Sequence, residues 1–139
     1  MPPADAGNQL PPKIPGYEIF RLIGEGGMGR VYLAHQEALE RNVCIKLLSK
    51  ATEAPTPAVR ARFEREAKIL AMAAHPHVLT ILDFGAAADD GTPYIVTEYI
   101  ENGDLRKLFR DGRPIPPARR RSILDQIGQA LAYLHGKGI

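Results

Sequence analysis

Three glycines at the spacing G-x-G-x-x-G form the pattern in this chain that points most directly to chemistry. They are Gly24, Gly26 and Gly29, within the stretch LIGEGGMGRVY at residues 22–32. A glycine has no Cβ, so the backbone can turn tightly there and lie close to a bulky anion. Consecutive peptide N–H groups can then face phosphate oxygens. The pattern therefore indicates a phosphate-binding loop, although the motif alone is a weak signal.

Several interpretations of this loop compete. A Rossmann fingerprint continues into a helix, whereas residues 30–35, RVYLAH, are rich in strand-forming types. A Walker A loop ends in Gly-Lys-Ser or Gly-Lys-Thr, and Gly29-Arg30-Val31 does not. Two interpretations remain. One is a strand–loop–strand flap over a nucleotide, as in protein kinases, and the other is a glycine-rich hairpin that binds nothing.

A lysine and a glutamate form a second candidate pair. Lys46 is the only charged residue in the strand-like run NVCIKLL at residues 42–48, and burying an unpaired ammonium group costs free energy. It therefore needs a negative partner, unless it lies at the surface and extends into solvent. Glu66 lies beside the apolar stripe of a predicted helix that starts at Thr56-Pro57. It is either the partner of Lys46 or one of several solvated charges.

The elements that would position these residues alternate between strands and helices. Apolar runs predict strands at 17–23, 30–35, 42–48, 78–84 and 93–100, with a hairpin turn at Asp89-Asp90-Gly91. Helical spacing predicts helices from residue 57 to about 74, from 105 to 110, and from 117 to about 135. The last helix has an apolar face that needs a partner.

Composition excludes several function classes. A chain of 139 residues with 45% apolar and 24% charged residues fits one modest domain. A net charge of +2 gives no reason to expect nucleic-acid binding, so the three arginines at 119–121 are interpreted as solvated. No metal site is expected at His75 and His77, which have no Cys or acidic cluster beside them.

The expected compartment is the cytoplasm. The single cysteine, Cys44, excludes an internal disulfide and fits a reducing environment. No apolar run approaches the length of a membrane span, and no signal-peptide pattern is present. A membrane anchor further downstream in a longer protein is left open.

Together these elements resemble the amino-terminal lobe of eukaryotic-like protein kinases over residues 17–139, and GEGGMGRVY is most similar to the bacterial serine/threonine kinases. The resemblance implies an α+β fold. It consists of a five-stranded antiparallel sheet with one regulatory helix, a hinge, and the first helices of an incomplete carboxy-terminal lobe. The implied domains are a disordered proline-rich lead-in at 1–15, the ATP-binding lobe at 16–100, and the connector with two helices at 101–139.

The resemblance also implies roles for individual residues. Lys46 would hold the α- and β-phosphates of ATP, and Glu66 would pair with it, with Glu64 as the fallback. Thr97 matches the gatekeeper at the back of the pocket, and Asp104 matches the acid that binds the ribose hydroxyls. The other expected ATP contacts lie in the flap, the adenine-facing strands and the hinge: Ile23, Gly24, Glu25, Gly26, Gly27, Met28, Gly29, Val31, Cys44, Glu98, Tyr99 and Ile100.

Two features limit the predicted activity. Asp83-Phe84-Gly85 spells the magnesium motif of kinases but precedes the hinge, so we predict a structural role for it and no metal. No His-Arg-Asp catalytic loop occurs in the 139 residues, and the magnesium ligands would lie in the missing lobe. The resemblance implies ATP and Mg²⁺ as cofactors, and transfer of the γ-phosphate to protein Ser/Thr hydroxyls in the complete enzyme.

The chain alone is therefore predicted to be catalytically inactive. The alternative is a stand-alone, non-catalytic module that binds nucleotide or a partner kinase. The exposed last helix is also expected to drive self-association.

Overall fold

Five β-strands form one antiparallel sheet in a computed structural model, which describes residues 12–26, 29–48 and 56–139. Across the sheet the strand order is β1-β2-β3-β5-β4, which makes β1 and β4 the two edge strands. All neighbouring strands pair antiparallel, so the expected sheet is confirmed. The strands are β1 (Tyr17–Gly26), β2 (Gly29–Gln36), β3 (Arg41–Leu48), β4 (Ile81–Ala86) and β5 (Pro93–Glu98).

Three α-helices lie outside the sheet in the described part of the chain: α1 (Pro57–Ala71), α2 (Leu105–Arg110) and α3 (Pro117–Gly136). The first helix begins where Thr56-Pro57 predicted it, because Oγ1 of Thr56 accepts a hydrogen bond from the N–H of Val59 at 3.3 Å. It packs against β4 and β5. No helix among the described residues combines the length and apolar character needed to cross a membrane.

The core lies on one face of the sheet. Val43, Ile45 and Val96 are fully buried on this face, because alternate residues of a strand point to the same side. The sheet curls strongly, since the hydroxyl of Tyr17 on β1 donates to Oδ2 of Asp83 on β4 at 3.0 Å. Burial and this hydrogen bond raise the pKa of Tyr17 to about 12. Asp83 thus connects the two edge strands, which is a structural role.

The folded part begins earlier than the predicted boundary at residue 16. Ile14 is only 2% exposed and belongs to the core. The N–H of Lys13 donates to Oδ2 of Asp89 at 2.8 Å, and its carbonyl accepts from the N–H of Ala88 at 3.1 Å. Residues 12–15 therefore do not form the disordered lead-in that was expected, because Ile14 supplies an apolar side chain to the core of the curled sheet. Residues 1–11 lie outside the described residues.

Candidate functional site

The pairing of β2, β3 and β5 places four candidate residues on one face of the sheet. Val31 pairs with Lys46 across β2 and β3, and Cys44 pairs with Thr97 across β3 and β5. Directly opposite residues project to the same face, as do residues two apart along a strand. These four side chains therefore share the face opposite the core.

An open pocket of about 880 Å³ lies on this face. Its volume is within the range that is typical of small-molecule sites. The pocket is bounded by the strands of the flap, by β3 and β5, and by the segment after β5. Nine of the residues expected to contact ATP line it: Ile23, Val31, Cys44, Lys46, Thr97, Glu98, Tyr99, Ile100 and Asp104.

Lys46 presents a cation to this pocket from β3. It is half-buried, and within the described ranges no carboxylate forms an ion pair with it. An ammonium group in such a position is partly desolvated, so an anion that enters the pocket gains more from it than from a fully exposed lysine.

Glu66 is not brought to Lys46. Its Oε1 accepts a hydrogen bond from Nε of Arg62, one helical turn earlier, at 2.8 Å, and about half of its side chain is exposed. The sequence alone favoured this solvated position, whereas the family resemblance implied the pair with Lys46. An exposed i,i+4 ion pair is screened by solvent, so Arg62 holds Glu66 weakly in this position.

The flap glycines differ in what the backbone requires of them. Gly29 has a φ of 143°, a conformation that side chains rarely allow. Gly24 and Gly26 have no positive φ. A Cβ on Gly24 would make an ordinary contact with Val31 at 3.8 Å, and one on Gly26 would meet nothing within 4 Å. The fold therefore explains glycine at position 29 but not at 24 or 26, where a missing Cβ leaves room for a ligand.

The other flap residues that were expected to contact ATP either do not line the pocket or lie outside the described residues. Glu25 forms an exposed ion pair with Arg30, Oε1 to Nε at 2.8 Å, which joins the two strands of the flap. This contact raises the pKa of Arg30. Gly27 and Met28 lie outside the described residues.

The segment after β5 supplies the polar wall of the pocket. Asp104 caps α2, since its Oδ1 accepts from the N–H of Lys107 at 2.8 Å. Oδ2 of Asp104 has no hydrogen-bond partner among the described residues, and it remains available to a ligand. The carboxylate of Glu98 accepts from the N–H of Thr80 at 2.9 Å. The Glu98 side chain is therefore engaged by the segment before β4, and the Glu98 backbone carbonyl accepts from the hydroxyl of Thr97 at 3.2 Å.

Sequence reasoning missed several residues that line the pocket. Arg21 enters from β1, and Leu79 comes from the segment before β4. The others follow the hinge: Glu101, Gly103, Lys107, Arg110 and Asp111. These residues belong to no motif that sequence reasoning could use, and only the tertiary structure brings them to one pocket.

Comparison with known proteins is consistent with this geometry. Residues 17–139 match the protein kinase domain family. The serine/threonine-protein kinase pkn2 of Myxococcus xanthus is 39% identical over 123 residues, which are 88% of this chain and 14% of that protein. PknE of Mycobacterium tuberculosis is 40% identical over 122 residues, which are 88% of this chain and 21% of that protein. The chain thus spans about a fifth or less of the curated relatives it matches.

A solved structure gives the same result for the fold. The crystal structure of the PknI kinase domain of Mycobacterium tuberculosis superposes with a TM-score of 0.76 at 31% identity. The superposition covers 91% of this chain and 50% of that domain.

Proposed function

The chain belongs to the protein kinase family, and from that premise we propose that residues 17–139 bind ATP for a serine/threonine protein kinase. The observation that carries this proposal is the shared pocket: Lys46, Asp104 and the hinge residues 98–100 line one cavity of about 880 Å³. In the complete enzyme the γ-phosphate would pass to Ser/Thr hydroxyls of a protein substrate. A cytoplasmic location fits both the proposed nucleotide and the single free cysteine.

Each part of the pocket suits one part of the nucleotide. Lys46 supplies a positive charge for the α- and β-phosphates, and a charge-assisted hydrogen bond of this kind contributes about 1.5–3 kcal/mol. The free carboxylate oxygen of Asp104 can accept from ribose hydroxyls. Val31 and Cys44 line the pocket and would present small apolar side chains to the adenine ring. Burial raises the pKa of the Cys44 thiol, which favours its neutral form.

Glu66 enters this proposal as the partner of Lys46 in the nucleotide-bound state. Its present pair with Arg62 is exposed and weak. A shift of α1 that brings the Glu66 carboxylate to the ammonium of Lys46 would break only this exposed contact and would orient the lysine towards the phosphates. Glu66 thereby acts as a positioning residue for Lys46.

The same residues do not complete a phosphotransfer site. Among the described residues, no three His, Cys, Asp or Glu side chains lie together as a metal site. In this proposal Mg²⁺ enters as the Mg·ATP complex, and its protein ligands would belong to the carboxy-terminal lobe of the complete enzyme. We propose negligible phosphotransfer by the 139 residues alone, since no His-Arg-Asp sequence is present.

Titration calorimetry of the purified chain with Mg·ATP tests the proposal. We expect binding that weakens by roughly tenfold or more in Lys46→Ala, because one charge-assisted contact to phosphate is lost. Lys137→Ala is the matched control, since Lys137 is exposed at the end of α3, outside the pocket. Equal affinity in wild type and Lys46→Ala, or no binding of Mg·ATP at all, would contradict the proposal. In the second case the chain would be a module that binds a partner and not a nucleotide.

A further inference from the structure

The charge of this chain is concentrated in one short segment. Residues 106–121 contain seven Lys or Arg residues and one carboxylate, Asp111, which gives the segment a net charge of +6. The whole chain carries +2, so the other 123 residues carry −4. The near-neutral total therefore conceals a strong asymmetry. We call this segment the basic surface.

The cations of the basic surface are exposed and unpaired. Three lie on α2 (Arg106, Lys107 and Arg110), Arg113 lies in the loop, and three arginines occupy positions 119–121 of α3. All seven are exposed, and no carboxylate of the described chain forms an ion pair with any of them. Their charges are therefore not used to stabilise the fold.

The position of the arginines at 119–121 is unfavourable for the helix that carries them. They follow Pro117, the first residue of α3, whose first turn contains no acidic residue and whose N-cap, Pro116, forms no side-chain cap. The amino end of a helix has a partial positive charge, so cations in the first turn do not stabilise α3. The charge of these arginines is therefore available to a partner that bears negative charge.

We propose that the basic surface docks an acidic polypeptide segment. Two of its cations, Lys107 and Arg110, also line the pocket that contains Lys46. A polypeptide held along this surface would therefore lie beside the mouth of that pocket, where a protein substrate must approach. The identification of this segment as part of the substrate rests on the proposed kinase function, whereas its binding does not depend on nucleotide. Complementary charge would mainly accelerate and orient its association.

Fluorescence anisotropy with a short labelled poly-glutamate peptide, without nucleotide, tests the docking. We expect binding that weakens as salt rises. We also expect roughly tenfold weaker binding at low salt in the combined variant Arg119→Gln, Arg120→Gln, Arg121→Gln, because three ion pairs of moderate strength are lost. The variant removes charges that oppose the helix, so it should remain folded by circular dichroism.

A second triple variant separates a specific surface from the net charge of the chain. Arg41→Gln, Arg65→Gln and Lys137→Gln together remove the same charge from exposed positions elsewhere, and this control should retain peptide affinity within about twofold. Equal losses in the two triple variants would refute the proposal, as would no peptide binding at low salt. Tighter binding of anionic lipid vesicles or a single-stranded oligonucleotide than of the peptide would also refute it. If the chain binds the peptide but not Mg·ATP, the result would count against the nucleotide site and not against the docking.

Discussion

The substitution Gly26→Ala should show whether glycine at this position is required for ligand binding or for folding. Gly26 lies at the end of β1 without a positive φ, and a Cβ there would meet no atom within 4 Å. Gly26→Ala should therefore leave the free energy of unfolding unchanged, or raise it by about 0.4–1 kcal/mol because alanine lowers the conformational entropy of the unfolded chain. If the flap covers phosphates, the same Cβ occupies the space where they approach. Loss of one charge-assisted N–H contact, about 1.5–3 kcal/mol, would weaken Mg·ATP binding by at least tenfold.

Two controls make this prediction specific. Adenosine has no phosphates, so its affinity should be the same in wild type and Gly26→Ala. Gly85→Ala on β4 should behave in the opposite way, because its Cβ would lie 2.7 Å from the hydroxyl of Tyr94. Overpacking of this kind costs about 1–3 kcal/mol of stability, while the pocket is not involved. Thermal unfolding and calorimetry measure both quantities. Unchanged Mg·ATP affinity in Gly26→Ala, or a loss of stability equal to that of Gly85→Ala, would refute the reasoning.

Iodoacetamide should alkylate Cys44 slowly at neutral pH and faster as pH rises, because burial raises the pKa of the Cys44 thiol. Mg·ATP should protect the thiol from alkylation, since Cys44 lines the pocket. An alkylation rate that Mg·ATP leaves unchanged would place the nucleotide elsewhere. The pKa of Tyr17 is about 12 in the folded chain and 10.0 in the unfolded chain. The stability that Tyr17 contributes should therefore be complete below pH 10 and be lost as pH rises towards 12. In chemical denaturation, the loss of stability over this pH range should be smaller in Tyr17→Phe than in wild type. Leu124 and Leu131 on α3 are 69% and 47% exposed. Burial of these side chains between two chains is favourable, so sedimentation should show self-association of the wild type. The double variant Leu124→Glu, Leu131→Glu should abolish the self-association, and a monomeric wild type at high concentration would contradict the prediction.

The local patterns that predicted the sheet were those with a direct physical cause. The apolar run NVCIKLL predicted a strand at residues 42–48, and the structure has β3 at Arg41–Leu48. The Thr56-Pro57 start of α1 was predictable because a cap and a proline act within one turn.

Features that depend on contacts distant in sequence were not predictable in this way. Ile14 lies between Pro12 and Pro15, in a composition that predicted a disordered lead-in. It nevertheless belongs to the same buried cluster as Ala87, which is more than seventy residues away in the sequence. The partner of Glu66 was undetermined for the same reason: Arg62 and Lys46 are both suitable cations, and only the position of α1 chooses between them. The basic surface was underestimated because net charge averages over the chain.

The most direct test of the nucleotide site is a crystal structure of the chain with Mg²⁺ and a non-hydrolysable ATP analogue. We expect Nζ of Lys46 to lie within hydrogen-bond distance of an α- or β-phosphate oxygen, Asp104 to contact the ribose, and the adenine to lie between Val31 and the hinge. A nucleotide bound outside this pocket, or bound in it with Lys46 directed away from the phosphates, would show that these residues do not form the ATP site.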